Sequence, residues 1–383
     1  MRIGVVTTSY PRSDGEAAGT FVSELNDWIA SRGHQVDVLA AGSKSETGDT
    51  GPWQKHPVER VFAGSGLFYQ GGAPEALHSK RRAWQALRFS TRLLLQARKR
   101  QHNWDGVVAH WLAPSAMVCV LAASNKPIWA IAHGGDVYLL EKLGLTASVA
   151  RLLDRPNVHL NFVSRSVRDV FARNAGNAGR SLIARAGVCP MGISLPATRR
   201  ERPTKNKTRL LFLGRLVAIT GVDILLDAMS LVQQAGESDY ELTIAGHGPQ
   251  RESLQRQAAQ LGIEARWPGE VRGLERDQLL ARADLVIIPS RTWQGREEGM
   301  PRVALEALAS GAQLLVASSG GLAEIPGSLC HRVPPADPQA MAVAIREILA
   351  GKEAPHQGGH WLASHSWPEL GPRLLPGLSH AQV

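Results

Sequence analysis

A single rhythm runs through the sequence: a short run of β-branched and aliphatic residues, a polar or glycine-containing turn, then a stretch with helical apolar spacing. Runs that are apolar at every position, and not at alternate ones, must be covered on both faces, which predicts parallel sheets flanked by helices. Ile3 to Thr8 reads as the first such strand. A loop from Ser9 to Gly19 leads into a helix with Phe21, Val22, Leu25, Trp28 and Ile29 on one side, closed by Gly33. Val36 to Ala40, Val107 to His110, Ile128 to His133 and Leu160 to Val163 continue the series, and the polar residues after them mark strand ends where α/β folds bind ligands.

The rhythm restarts at Arg209-Leu210-Leu211-Phe212-Leu213-Gly214, directly after a charged, proline-containing stretch with the composition of a linker. Beyond it Leu242 to Ala245, Leu285 to Ile288 and Gln313 to Ala317 read as strands, with helices from Gln250 to Leu261 and from Pro301 to Ser310. A chain of 383 residues has room for two such units. The expected organisation is an α/β fold of two Rossmann-like domains, residues 1–198 and 208–350, with a ligand cleft between them. The tail 351–383 is expected to pack back on the first domain.

The formal charge of +9 is concentrated locally. Lys80 to Arg100 holds eight basic residues and no acidic one, while Arg199 to Arg209 holds six against Glu201 alone. In the first stretch Trp84, Leu87, Leu94 and Leu95 recur at near-helical spacing among the arginines, so the helix could rest on an anionic membrane surface. A basic helix solvated on one side is equally common in soluble domains. Nucleic acid fits poorly, since aromatics for base stacking are lacking and no zinc-finger or RRM signature occurs. Three widely spaced cysteines, Cys119, Cys189 and Cys330, point to a reducing compartment. The apolar start is too short for a signal peptide, and the longest apolar run, Ala116 to Ala123, is too short to span a bilayer. The expected location is cytoplasmic, with peripheral attachment to the inner face of the membrane as the finer possibility.

Several chemistries lose their sequence support: there is no Gly-x-Gly-x-x-Gly, Walker loop, Gly-x-Ser-x-Gly elbow, His-Glu-x-x-His or Asp-x-Asp pair. What remains lies mostly in the second half. Phe212 to Leu216 followed by Gly221 to Ala228 reads strand, glycine loop, helix, which offers backbone N–H groups to an anion, with Arg215 as a forked cation. Further on, Glu297-Glu298-Gly299-Met300-Pro301-Arg302 leads into a helix, with Pro301 suited to its first turn and the surrounding amides at a positive helix end. Glu306 sits among Leu305 and Ala307, where a polar group asks for a partner.

These residues resemble the large retaining glycosyltransferase family four, of GT-B architecture. The resemblance runs through the Gly19 loop, Arg32-Gly33-His34, His133-Gly134-Gly135-Asp136, Pro190-Met191-Gly192-Ile193, Gly214-Arg215-Leu216 and Ala245-Gly246-His247-Gly248-Pro249. Glu298 and Glu306, seven residues apart in the intervening count, are its most specific part. The resemblance implies a metal-independent transfer of a hexose or N-acetylhexosamine from a UDP- or GDP-sugar, with no cofactor, to a glycan, lipid-linked or small-molecule acceptor, a polysaccharide or cell-envelope intermediate among them. It implies catalytic roles for His133, Arg215 and Glu298. Donor binding would fall to Gly19, Asp136, Gly214, Arg215, Thr220, Glu298, Gly299, Met300, Pro301, Arg302 and Glu306, although Asp136 is also placed to cap the helix after it.

One position departs from the family pattern: Thr220 stands where a lysine usually faces the diphosphate. Arg291, Arg296 and Arg302 lie close in sequence to the Glu298 loop, and one of them is expected to substitute for it. The alternative expectation is a GT-B binding or partner protein with little or no turnover. A third keeps the fold but makes the protein a nucleotide-sugar epimerase or a phosphorylase.

Overall fold

The computed structural model describes residues 1–13, 15–16, 18–42, 54–62, 80–194, 207–351 and 359–378. Its strands form two wholly parallel sheets, of seven and six strands. The chain divides into two compact units, Met1–Gly192 with Ser366–Val383, and Ile193–His365.

In the first unit the order is β1 (Arg2–Thr7), α1 (Thr20–Ser31), β2 (Gln35–Gly42), β3 (Val58–Phe62), α2 (Lys80–Arg100), β4 (Gly106–His110), α3 (Met117–Ala122), β5 (Ile128–Ala132), α4 (Gly135–Lys142), α5 (Thr146–Leu153), β6 (Val158–Phe162), α6 (Arg165–Ala175), α7 (Arg180–Ala184) and β7 (Gly187–Val188). The sheet order is β3-β2-β1-β4-β5-β6-β7. Its central strands are almost wholly buried, β4 and β5 without exception, as their apolar runs require. Outer strands β3 and β7 escape a reading based on such runs, because Val-Glu-Arg-Val-Phe carries charges at a sheet edge and Gly187-Val188 is only two residues long.

The basic helix α2 buries Phe89, Leu93 and Ala97 against this sheet, each apolar side chain of the Phe or Leu type contributing about 1.5–3 kcal/mol. Its last turn is anchored by Arg100, whose guanidinium pairs with the buried Asp37 of β2 at 2.6 Å, and Asp37 also accepts from Trp104 Nε1 at 2.9 Å. The opposite face leaves Trp84, Leu87 and Leu95 exposed among Arg81, Arg88, Arg98 and Lys99.

The second unit contains β8 (Thr208–Leu213), α8 (Val222–Gln234), β9 (Tyr240–Ala245), α9 (Arg251–Gln260), β10 (Ala265–Gly269), α10 (Gly273–Arg282), β11 (Leu285–Ile288), α11 (Arg302–Ser310), β12 (Gln313–Ala317), β13 (His331–Val333), α12 (Pro338–Leu349) and α13 (Gly359–Ala363). The sheet order is β10-β9-β8-β11-β12-β13. One face is filled by α8, α9 and α12 through Leu225, Met229, Leu254 and Ile345, and the other by α10 and α11 through Leu280, Ala304 and Ala307. The basic stretch at 199–206 lies outside the described residues.

After the second unit the chain returns to the first as α14 (Trp367–Leu374). Trp367, Leu370, Leu374, Leu375 and Leu378 are buried in the first unit's core. Trp367 Nε1 donates to Glu24 of α1 at 2.8 Å, and Trp129 Nε1 of β5 donates to the Pro376 carbonyl at 3.0 Å.

Candidate functional site

In a parallel α/β sheet the strands carry their loops outward in opposite directions on either side of the point where the order reverses, leaving a crevice at the carboxyl ends. That point lies between β1 and β4 in the first unit and between β8 and β11 in the second. The candidate residues fall into two groups at the carboxyl ends of the strands, one group in each unit.

In the second unit, β8 ends at Leu213 and runs into Gly214 and Arg215. The turn that follows is closed by Thr220, which is buried and whose hydroxyl lies 2.8 Å from both the Arg215 and the Val217 carbonyl. The Thr220 side chain is thus committed to its own loop. Arg291, just past β11, is fastened to the same turn: its backbone N–H donates to Ile219 O at 2.9 Å, its Nε donates to Ala218 O at 2.9 Å, and Nη1 pairs with Asp223 Oδ2 at 2.9 Å. The guanidinium lies 4.8 Å from the Trp293 ring centre. Of the three arginines near the Glu298 loop in sequence, Arg291 is bonded to the turn that bears Thr220, whereas Arg302 pairs with Glu306 at 3.5 Å.

Glu298 accepts a hydrogen bond from the hydroxyl of Ser290, itself buried at the end of β11. Burial raises the Glu298 pKa above its ordinary value, while the Ser290 hydroxyl and the nearby Arg215 charge pull it back. The Glu298–Gly299 backbone rests on Gly320 and Gly321. Gly321 N donates to Glu298 O at 3.1 Å, and a Cβ on Gly321 would lie 1.6 Å from the Gly299 carbonyl oxygen. Only glycine permits that approach.

Pro301 caps α11 in extended conformation, so the helix begins one residue later than its proline suggests, and the Pro301 carbonyl accepts from Ala304 N at 3.1 Å. Because Pro301 has no N–H, the donors at this end are Gly299, Met300 and the first residues of α11. Glu306, further along α11, has the partner its apolar neighbours demand: Arg276 of α10 pairs with it, as does Arg302.

In the first unit Gly19 caps α1 at φ 78°, and a Cβ there would stand 2.8 Å from the Ser9 carbonyl and the Tyr10 Cα. Glycine therefore lets the loop after β1 fold tightly against the start of α1. His133 follows β5 directly and is half-buried. Asp136, buried in the first turn of α4, accepts from His133 N at 3.1 Å, Gly134 N at 3.0 Å and Leu112 N at 2.6 Å. Its carboxylate ties the loop after β5 to the chain after β4. Around the His133 ring stand Trp111, Phe21 and His110, with centroids 4.7, 5.0 and 5.3 Å away. Trp111 reaches this position through a backbone φ of 69°, unusual for a bulky residue.

Sequence reasoning named His133, Gly19, Asp136, Arg215, Thr220 and the Glu298 to Glu306 segment, but not Ser290, Arg276, His110, Trp111 or the Gly320-Gly321 pair. The glycine pair two serines beyond an apolar strand run was a legible signal. The others act through partners distant in sequence, which spacing does not reveal.

Residues 207–351 match the glycosyl transferases group 1 family. The chain is 30% identical over 298 residues to a GDP-mannose-dependent α-(1-6)-phosphatidylinositol monomannoside mannosyltransferase of Mycolicibacterium smegmatis, covering 73% of this chain and 77% of that relative. Among solved structures it is similar to the sucrose-phosphate synthase of Thermosynechococcus elongatus, with a TM-score of 0.74, 18% identity and 97% of each chain covered. It is also similar to Anabaena HepE in complex with UDP and glucose, with a TM-score of 0.69, 17% identity and 97% of each chain covered. Both structural neighbours share the two-sheet GT-B architecture. With that fold and a relative matching along most of its length, the chain belongs to the group 1 glycosyl transferases.

Proposed function

We propose that this protein moves a hexose or N-acetylhexosamine from a UDP- or GDP-sugar to a hydroxyl of a glycan, lipid-linked or small-molecule acceptor, with retention of anomeric configuration and without a bound metal. The observation that carries the reading is the second-unit cluster: Arg215 beside the half-buried Glu298, at the switch point of the sheet, next to the N-terminus of α11. Departure of a nucleoside diphosphate builds negative charge while the sugar becomes oxocarbenium-like, and fixed cations and helix amides stabilise that charge. Arg215, Arg291 and the amides around Gly299, Met300 and Arg302 supply those groups. Glu298 then holds the sugar's hydroxyls, Glu306 the ribose, and His133 meets the transferred sugar.

The Mycolicibacterium relative is named for GDP-mannose and a phosphatidylinositol mannoside, and HepE was solved with UDP and glucose, which supports both donor classes and a lipid-linked acceptor. The exposed Trp84, Leu87 and Leu95 among arginines on α2 support attachment to an anionic membrane surface on the cytoplasmic side. Among the described residues no helix is long and apolar enough to cross a membrane.

The test is a thermal-shift screen of UDP, GDP, ADP and their sugar conjugates with and without EDTA. A ligand at 100 times its dissociation constant stabilises by about 2.7 kcal/mol. One EDTA-insensitive donor, followed by NMR showing the product anomer unchanged, is expected. An inverted product or strict dependence on a divalent ion overturns the mechanism, and silence across the panel favours the non-catalytic alternative.

A further inference from the structure

His110 is the last residue of β4, and His133 follows β5, the strand paired with it in parallel. The two side chains meet at 3.1 Å between His110 Nδ1 and His133 Nε2, with their rings 21° apart. His110 is wholly buried, and its other ring nitrogen, Nε2, has no hydrogen-bond partner among the described residues. Burial lowers the His110 pKa to about 3 and, with His110 beside it, holds His133 well below its ordinary value, so both rings are neutral.

A neutral imidazole carries one proton, on one nitrogen or the other. If His133 donated from Nε2, His110 would accept at Nδ1 and would have to carry its own proton on Nε2. That would leave a fully buried N–H with no acceptor, the rarer and costlier kind of omission. If His110 donates from Nδ1 instead, its Nε2 is a bare lone pair among aromatic neighbours, and the proton of His133 is forced onto Nδ1. The surrounding rings of Trp111 and Phe21 hold the His133 plane in place, and no described residue is bonded to its Nδ1.

We propose that His110 is a positioning residue that fixes His133 as the Nδ1–H tautomer, so that His133 meets the transferred sugar as a hydrogen-bond donor and not as a base. The role toward sugar rests on the transfer reading above; the tautomer does not. His110 touches no substrate in this account and acts only through His133.

The full chain labelled with ¹⁵N-histidine, without donor, is suited to a two-bond ¹H–¹⁵N correlation experiment, in which protonated and bare ring nitrogens are widely separated. The His133 signals are those lost in His133→Gln. Protonation of Nδ1 throughout pH 6–8 is expected. A proton on Nε2, or averaging between the two nitrogens, overturns the proposal. In steady-state kinetics with an identified donor, His110→Phe removes the hydrogen bond while keeping a ring, and a tenfold or greater loss in kcat with donor KM changed less than threefold is expected. His110→Asn, whose amide nitrogen can stand where Nδ1 stood, should recover at least part of that loss, and equal losses in the two variants overturn the positioning role. Should no donor be turned over, the transfer reading fails, and the spectrum alone decides the tautomer.

Discussion

Replacing Arg291 by Gln tests whether this chain has relocated the diphosphate cation that Thr220 no longer supplies. In the structure the guanidinium is held by Ala218 O and Asp223 at 2.9 Å each, on the turn that carries Thr220. A unit positive charge about 5 Å from a diphosphate oxygen, at an effective dielectric of about 20, is worth about 3 kcal/mol. Loss of one preorganised donor at such a site typically costs about 2.7–4 kcal/mol in the rate. Arg291→Gln is therefore expected to lower kcat about 100- to 1,000-fold at saturating donor. Its amide can keep the bond to Ala218 O, so the structural loss is limited to the half-exposed Asp223 pair, about 1 kcal/mol, and the melting temperature should move little. Thr220→Lys in the native background should gain less than tenfold, because the site already has its charge. In the Arg291→Gln background the same lysine should recover tenfold or more, a coupling that a double-mutant cycle reads directly. If Thr220→Lys alone accelerates transfer at least tenfold, Arg291 does not compensate and the reasoning is wrong.

Glu298→Gln should reduce transfer at least tenfold without loss of melting temperature at pH 7. The native state keeps the Glu298 proton to higher pH than the unfolded chain, so the carboxyl costs stability as pH rises from 4.5 through its folded value, and calorimetry across that range should show the slope flattened in the variant. The histidine pair has the opposite sign: stability is lost as pH falls from 6.5 toward about 3, and His110→Phe should retain its fold to lower pH than the native chain in an acid titration followed by circular dichroism. Gly321→Ala places a methyl 1.6 Å from the Gly299 carbonyl and must displace the Glu298 loop, at about 1–3 kcal/mol and with clearly weakened donor binding by calorimetric titration. Replacing Arg88, Arg98 and Lys99 by Gln should abolish sedimentation with phosphatidylserine vesicles at low salt, each charge near such a surface being worth about 1 kcal/mol; unchanged sedimentation would remove α2 as the attachment face.

The parallel sheets were legible because their central strands carry runs of consecutive apolar residues. Leu285–Ile288 and Gln313–Ala317 coincide with their sequence reading, and Ile3 to Thr8 is displaced by one residue. Strands at the edges were not legible, since β3 has two charged residues interrupting its apolar ones and β13 is three residues long. At the site, glycines and acids that stand in short local motifs were readable from spacing. Ser290 and His110 were not, because each matters only through one partner, Glu298 and His133, that the fold brings to it. Asp136 shows a motif residue whose visible work is structural: both its oxygens are taken by backbone N–H groups, one of them Leu112 N in the chain after β4.

The return of α14 to the first unit has a consequence for how the molecule is made. The seat for Trp367 is formed by residues of the first unit, with its ring against Gly192 and its indole nitrogen on Glu24, while Gly371 lies flush against Trp28. During synthesis the described strands of the first sheet are complete once Val188 has emerged, yet the segment that covers Trp28 and Trp129 leaves the ribosome only after the whole second unit. The nascent first unit thus spends the translation of the entire second unit with that apolar seat uncovered, surface of the kind a holdase chaperone binds, until α14 emerges and closes it.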